Sequence, residues 1–150
     1  MVLWRISNHA DLNGIGGLYA SARWHTKGRP IVYLAETPAG ALLESLVHLE
    51  IDKEDVPLRY QLMKVNAEDD IPFETVMPDS LPNTWRDEEE ITRRIGTEWL
   101  KDGKTALLQV PSAIMPETWN WLLNPRHEDA KRVRIVSAVK YFHDMRLVGK

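Results

Sequence analysis

Only two stretches of this chain carry helical signatures, and neither sits in a regular strand–helix–strand rhythm. The first begins at Thr37, which suits an N-cap, with Pro38 at the first helical position, where a missing N–H costs nothing. It runs to about Leu49. The second spans Asp87 to Lys101; Asp87, Glu88, Glu89 and Glu90 favour the positive end of the helix dipole, and Gly103 is a natural stop. Around them lie short β-rich segments: Val2 to Ile6, Pro30 to Ala35, Leu58 to Val65, Thr105 to Val110 and Val133 to Tyr141. Short strands interrupted by two helices predict an α+β fold. Asn13 to Gly17 reads as a turn cluster, residues 66 to 84 as a proline-rich and acidic surface excursion, and the residues around Trp119 and Trp121 as an aromatic segment between two strands.

At 150 residues the chain has the length of one domain, spanning 1–150, able to bury a core without staples. Zero cysteines exclude disulfides, thiolate chemistry and Cys-ligated zinc. A net charge of −3 argues against nucleic acid as a direct partner, since phosphate binding usually shows as a basic face. No apolar run approaches the roughly 20 residues needed to span a bilayer, and the first residues do not read as a signal peptide, so the cytoplasm is the expected compartment. Trp85, Trp99, Trp119 and Trp121 are expected in the core.

Several familiar chemistries are missing. Ser112 follows a strand but lacks a Gly-x-Ser-x-Gly elbow, which disfavours a hydrolase nucleophile. His9, His25, His48, His127 and His143 show no zinc-ligand spacing, so no metal is expected. Gly14-Ile15-Gly16-Gly17 is neither a dinucleotide fingerprint nor a P-loop.

On the first helix, Leu42, Leu43, Leu46, Val47 and Leu49 share one apolar face, with Glu44 on the other side and His48 a turn beyond. That polar side is either a solvated surface or the lining of a cleft, and periodicity does not separate the two. Arg23, beside Trp24 and ahead of a glycine turn, is either an oxyanion anchor or a surface charge, and spacing alone favours the latter. Tyr33 reads as a strand tyrosine with its hydroxyl at the core edge. Arg5 alternates with Trp4 and Ile6, which points it away from the core side chains. Asn124-Pro125-Arg126-His127 is a turn signal.

In order, Trp4-Arg5-Ile6, Ala22-Arg23-Trp24, Gly28-Arg29-Pro30-Ile31-Val32-Tyr33, the run Ala41 to Leu49, Val110-Pro111-Ser112-Ala113-Ile114 and Asn124-Pro125-Arg126-His127 resemble the RES domain over residues 2 to 143. No single motif is specific; their order and separations are, with ten residues from Arg23 to Tyr33 and eleven from Tyr33 to Glu44. The family is named for an arginine, a glutamate and a serine. It supplies toxins of bacterial toxin–antitoxin pairs with an Xre-type helix-turn-helix antitoxin. The resemblance implies a fold similar to the ADP-ribosyltransferases and an activity that destroys NAD+, with NAD+ as substrate and no cofactor. It makes Glu44, Arg23, Tyr33 and Ser112 the catalytic candidates, with Arg5, Asn124 and His48 as further substrate contacts. His25 departs from the family pattern, where a small polar residue would follow Arg-Trp, and is expected to affect only a loop contact. Two alternatives stand beside NAD+ degradation: ADP-ribosylation of a cellular protein, and a non-catalytic partner-binding module.

Overall fold

The computed structural model describes residues 1–48 and 58–147. The chain runs β1 (Val2–Ile6), α1 (Gly16–Tyr19), β2 (Val32–Ala35), α2 (Pro38–His48), β3 (Arg59–Ala67), β4 (Phe73–Thr75), α3 (Glu89–Asp102), β5 (Leu107–Pro111), β6 (Trp119–Leu123) and β7 (Val133–Phe142). Short 3-10 turns at Pro78–Ser80, Glu128–Arg132 and Met145–Leu147 complete the elements of the described residues. The strands form one seven-stranded sheet, ordered β4-β5-β6-β2-β1-β3-β7. Every pairing is antiparallel except β4 with β5. The fold is α+β.

Local chemistry explains the helix ends. Thr37 Oγ1 accepts a hydrogen bond from the Gly40 N–H at 2.9 Å, satisfying a donor that α2 leaves unpaired. Gly103 closes α3 at φ 62°, a left-handed conformation that glycine adopts without a Cβ penalty. Gly96, inside α3, meets a different demand: a Cβ there would lie 1.7 Å from the Trp24 carbonyl oxygen. Its absence lets the helix lie directly on the 22–25 loop.

The register divides the core between the two faces of the sheet. On one face Leu3, Val32, Leu34, Met63, Val65, Leu107, Trp121 and Leu123 are buried under loop residues such as Leu12, Ile71 and Ala130. On the other, Leu108, Val110 and Leu122 pack with Trp24, Trp85, Trp99 and Leu100, beneath α3. Helix α2 lies on that second face, against β1 and β2. A cleft opens beside it.

Three sequence expectations need correction. The aromatic segment is a strand, β6, seated between β5 and β2. Trp119, Asn120 and Trp121 alternate, but Leu122 and Leu123 are both buried, one on each face, and this breaks the period-2 pattern. The 66–84 excursion contains β4, an edge strand of three exposed residues in which only Phe73 packs inward, edge-on to Trp121, too short a pattern to signal a strand. Of the four tryptophans expected in the core, Trp85, Trp99 and Trp121 are buried, but Trp119 is half-exposed. Leu49 lies outside the described residues.

Candidate active site

Two adjoining cavities open on the α2 face, of about 300 and 180 Å³. Tyr33, Glu44, His48 and Asn120 border both, so they form one two-lobed cleft. The larger lobe is mostly apolar and is walled by Trp4, Ile6, Ala35, Ala41, Tyr60 and His143. The smaller is more polar, and Arg23, Glu89 and Arg93 line it.

Glu44 stands at the junction of the lobes. Its Oε1 accepts hydrogen bonds from Ser112 Oγ at 2.8 Å and Asn120 Nδ2 at 2.7 Å. Ser112, buried just past the end of β5, accepts in turn from the Ile114 and Met115 N–H groups, each at 3.1 Å. Two backbone donors fill the serine's acceptor sites and its proton goes to the carboxylate. The hydroxyl therefore orients Glu44. Among the described residues Glu44 Oε2 makes no hydrogen bond, nor does Asn120 Oδ1, which is buried at the cleft wall. A carboxylate with one oxygen fixed and the other open is a pre-aimed negative charge.

Tyr33 reaches the cleft with its ring. Its hydroxyl accepts from the Trp24 N–H at 3.2 Å and is 2.7 Å from His25 Nδ1. Burial pushes the phenol well above its ordinary range, so it stays neutral. The His48 ring meets it edge-on, with centroids 6.5 Å apart. His25 is 2% exposed, and burial lowers its imidazole below the usual value, against a smaller pull from the Gly17 and Ala20 carbonyls. With the Trp24 N–H donating to the phenol, the phenol proton is free for His25 Nδ1. The expected loop contact at His25 is thus a buried clamp on Tyr33.

Arg23 lines the polar lobe. Its Nη1 donates to the Arg86 carbonyl at 3.0 Å, and its Nη2 lies 3.7 Å from Glu89 Oε1. Arg5 alternates with Trp4 and Ile6 as expected, but it does not point away from the core. The pairing Leu3↔Val65 and Arg5↔Met63 puts it on the same face as buried Leu3, while Trp4 and Ile6 take the cleft side. Arg5 borders the larger lobe, yet its Nη1 donates to the Asp11 carbonyl at 2.9 Å. Burial lowers its guanidinium's affinity for a proton, which the nearby Asp11 carboxylate partly offsets.

Asn124 lies elsewhere. It closes a turn past the end of β6, its Oδ1 accepting from the Arg126 N–H at 3.1 Å. It borders a separate cavity of about 140 Å³ with Arg29 and His127. Four strand residues, or roughly 13 Å, separate it from Asn120. Asn120 is the contact the sequence reading missed. Had β6 been read as a strand, a polar side chain on the face of buried Leu122 would have marked it. Arg93 was also missed, since one turn of α3 past Glu89 it looks like an ordinary i, i+4 surface pair.

Among the described residues no cluster of three or more His, Asp or Glu side chains could hold a metal ion, and no helix is long and apolar enough to cross a membrane.

The RES domain family matches residues 2–144. A protein of Pseudomonas putida named "Toxin Res" is 50% identical over 90% of this chain and 92% of its own. A protein of Sphingobium named "Prs ADP-ribosylating toxin" is 36% identical over 98% of this chain and 96% of its own. A "Toxin Res" of Yersinia enterocolitica is 35% identical over 85% of this chain and 86% of its own.

Proposed function

The chain belongs to the RES domain family, and from that premise we propose that it is the toxin of a toxin–antitoxin pair that cleaves the nicotinamide–ribose bond of NAD+. One observation carries the reading: Glu44 is held by Ser112 and Asn120 at the junction of an apolar lobe and an arginine-lined lobe. A dinucleotide with a flat base at one end and a pyrophosphate in its middle suits that division. The nicotinamide enters the apolar lobe and the pyrophosphate lies toward Arg23.

Breaking the bond sends its electron pair to nicotinamide, which leaves neutral because its ring nitrogen starts cationic. No acid has to protonate it. The ribose carbon becomes oxocarbenium-like, as at a glycosidic bond. The charge of Glu44 then stabilises that cation, and its open Oε2 binds a ribose hydroxyl or orients the acceptor. The Tyr33 ring edges the nicotinamide, and His48 lies beside it. Water as acceptor gives ADP-ribose and a proton; phosphate gives the phosphorylated sugar. Arg5, committed to the Asp11 carbonyl, supports the β1 wall.

A second reading, transfer of ADP-ribose to a cellular protein, is favoured by the name of the Sphingobium relative. Both release nicotinamide. Purified protein mixed with NAD+ and phosphate should release it, as followed by chromatography; release only after lysate is added would favour transfer, and release in neither would favour a non-catalytic module. Labelled NAD+ in lysate separates the two, since only transfer leaves label on protein. An Xre-type antitoxin would neutralise the toxin by covering the cleft. Co-expression with the neighbouring reading frame should yield one co-eluting complex, and two separate peaks would count against it.

A further inference from the structure

We propose that Arg93 is the second arm of a two-guanidinium clamp for the substrate's pyrophosphate, set in place by Glu89; this deepens the reading of the same cleft given above. Arg93 lines the polar lobe together with Arg23, although the two come from separate parts of the fold. Each guanidinium is fixed from behind by a backbone carbonyl. Arg93 Nε donates to the Ala22 carbonyl at 2.9 Å, and Arg23 Nη1 donates to the Arg86 carbonyl at 3.0 Å. The Glu89 carboxylate spans the two, with Oε2 2.6 Å from Arg93 Nη2 and Oε1 3.7 Å from Arg23 Nη2.

Two cations brought to one wall repel each other, and one shared carboxylate offsets that repulsion while leaving a net positive charge. Arginine presents five N–H donors, so carbonyl and carboxylate contacts leave others directed at the cleft. A diphosphate carries two negative charges and several acceptor oxygens, which match two forks better than one. Arg93 also borders a shallow depression on the outer side of α3, beside Glu90 and Arg94, but its partner Glu89 does not: the Glu89–Arg93 pair lines the lobe that Glu44 and Tyr33 also line.

Calorimetry with ADP-ribose, which needs no turnover, tests the clamp. Arg93→Gln should weaken binding by about 10-fold at low salt, the scale of one lost charge-assisted contact. It should also flatten the dependence of affinity on ionic strength. Arg93→Lys keeps the charge without the fork, so it should bind weakly but retain the steep salt dependence. Unchanged affinity in Arg93→Gln, or a loss that is the same at every salt concentration, would assign Arg93 to packing and overturn the proposal. A wild-type melting temperature in each variant secures the fold. The two readings fail separately: wild-type protein that binds ADP-ribose through Arg93 but releases no nicotinamide would sink cleavage and leave the clamp standing. Nicotinamide release with ADP-ribose binding indifferent to Arg93 would do the reverse.

Discussion

Helices α2 and α3 lie on the same face of one sheet and use it in opposite ways. Helix α3 turns Thr92, Gly96, Trp99 and Leu100 inward, a stripe at helical spacing that packs on Trp24, Trp85 and the sheet. Helix α2 buries only Ala41 and turns Glu44, Ser45 and His48 toward the cleft along the same stripe. Its leucines, Leu42, Leu43 and Leu46, are half-buried, and Val47 is 54% exposed. Hydrophobic periodicity reports where a helix could bury surface. Where one wall of a cleft has to be polar, the bonds that build the site also anchor the helix, here Glu44 to Ser112 and Asn120.

The largest effect should fall on α3. Trp99 is buried, and its indole N–H donates to Thr105 Oγ1 at 2.9 Å. Trp99→Ala should cost about 3–5 kcal/mol in a denaturant titration. A loss below about 1 kcal/mol would mean that α3 is not the structural helix of the pair.

Next comes Glu44→Gln. The amide oxygen keeps an acceptor for Ser112 and Asn120, so the melting temperature should hold while nicotinamide release falls by roughly 10² or more. Near-normal release would remove Glu44 from the chemistry. Collapse of the fold would instead show that the α2 anchor depends on the charge itself.

Much of this layout was legible in the sequence, for identifiable reasons. The start of α2 was fixed by Thr37 and Pro38, and the end of α3 by Gly103, because caps and left-handed turns are local chemistry. Arg23, Tyr33, Glu44 and Ser112 came through ordered motifs, and the structure gathers Arg23, Tyr33 and Glu44 at the cleft, with Ser112 bonded to Glu44. Asn120, Arg93 and the inward face of α2 were not legible. Each depends on which strand lies beside which, and that is long-range pairing absent from any local window. Asn124 failed for the complementary reason: it sits in a motif, yet its work is a turn.

The seam between the helices gives a smaller, pH-dependent effect. The 22–25 loop is pinned to α3 by Thr92, whose Oγ1 donates to the Arg23 carbonyl at 2.5 Å, while His25 holds Tyr33 at the cleft. Burial depresses the His25 imidazole below its unfolded value near 6.5, so the unfolded chain takes up a proton that the native one refuses. Stability is therefore full above about pH 6.5 and declines as pH falls through that value, by at most ~1.4 kcal/mol per pH unit. Urea titrations between pH 7 and 5 should show this slope, and His25→Asn should flatten it. An unchanged slope in that variant would place the titrating group elsewhere.

The smallest effect tests the phase of α2 itself. A leucine at the centre of a buried helical stripe loses about 2–5 kcal/mol on truncation to alanine. Leu46 lies at the centre of the apolar face that the sequence proposes, but in the structure that face is half-exposed and the stripe through Ala41, Glu44 and His48 meets the cleft. Little apolar area returns to water when a half-exposed side chain is cut back, and no closed cavity forms behind it. Leu46→Ala should then cost about 1 kcal/mol or less by denaturant titration and leave nicotinamide release unchanged. A loss in the full core range would mean that α2 is rotated from the described orientation. Glu44 would then turn away from Ser112 and Asn120, so this small measurement reaches back to the carboxylate on which the cleavage chemistry rests.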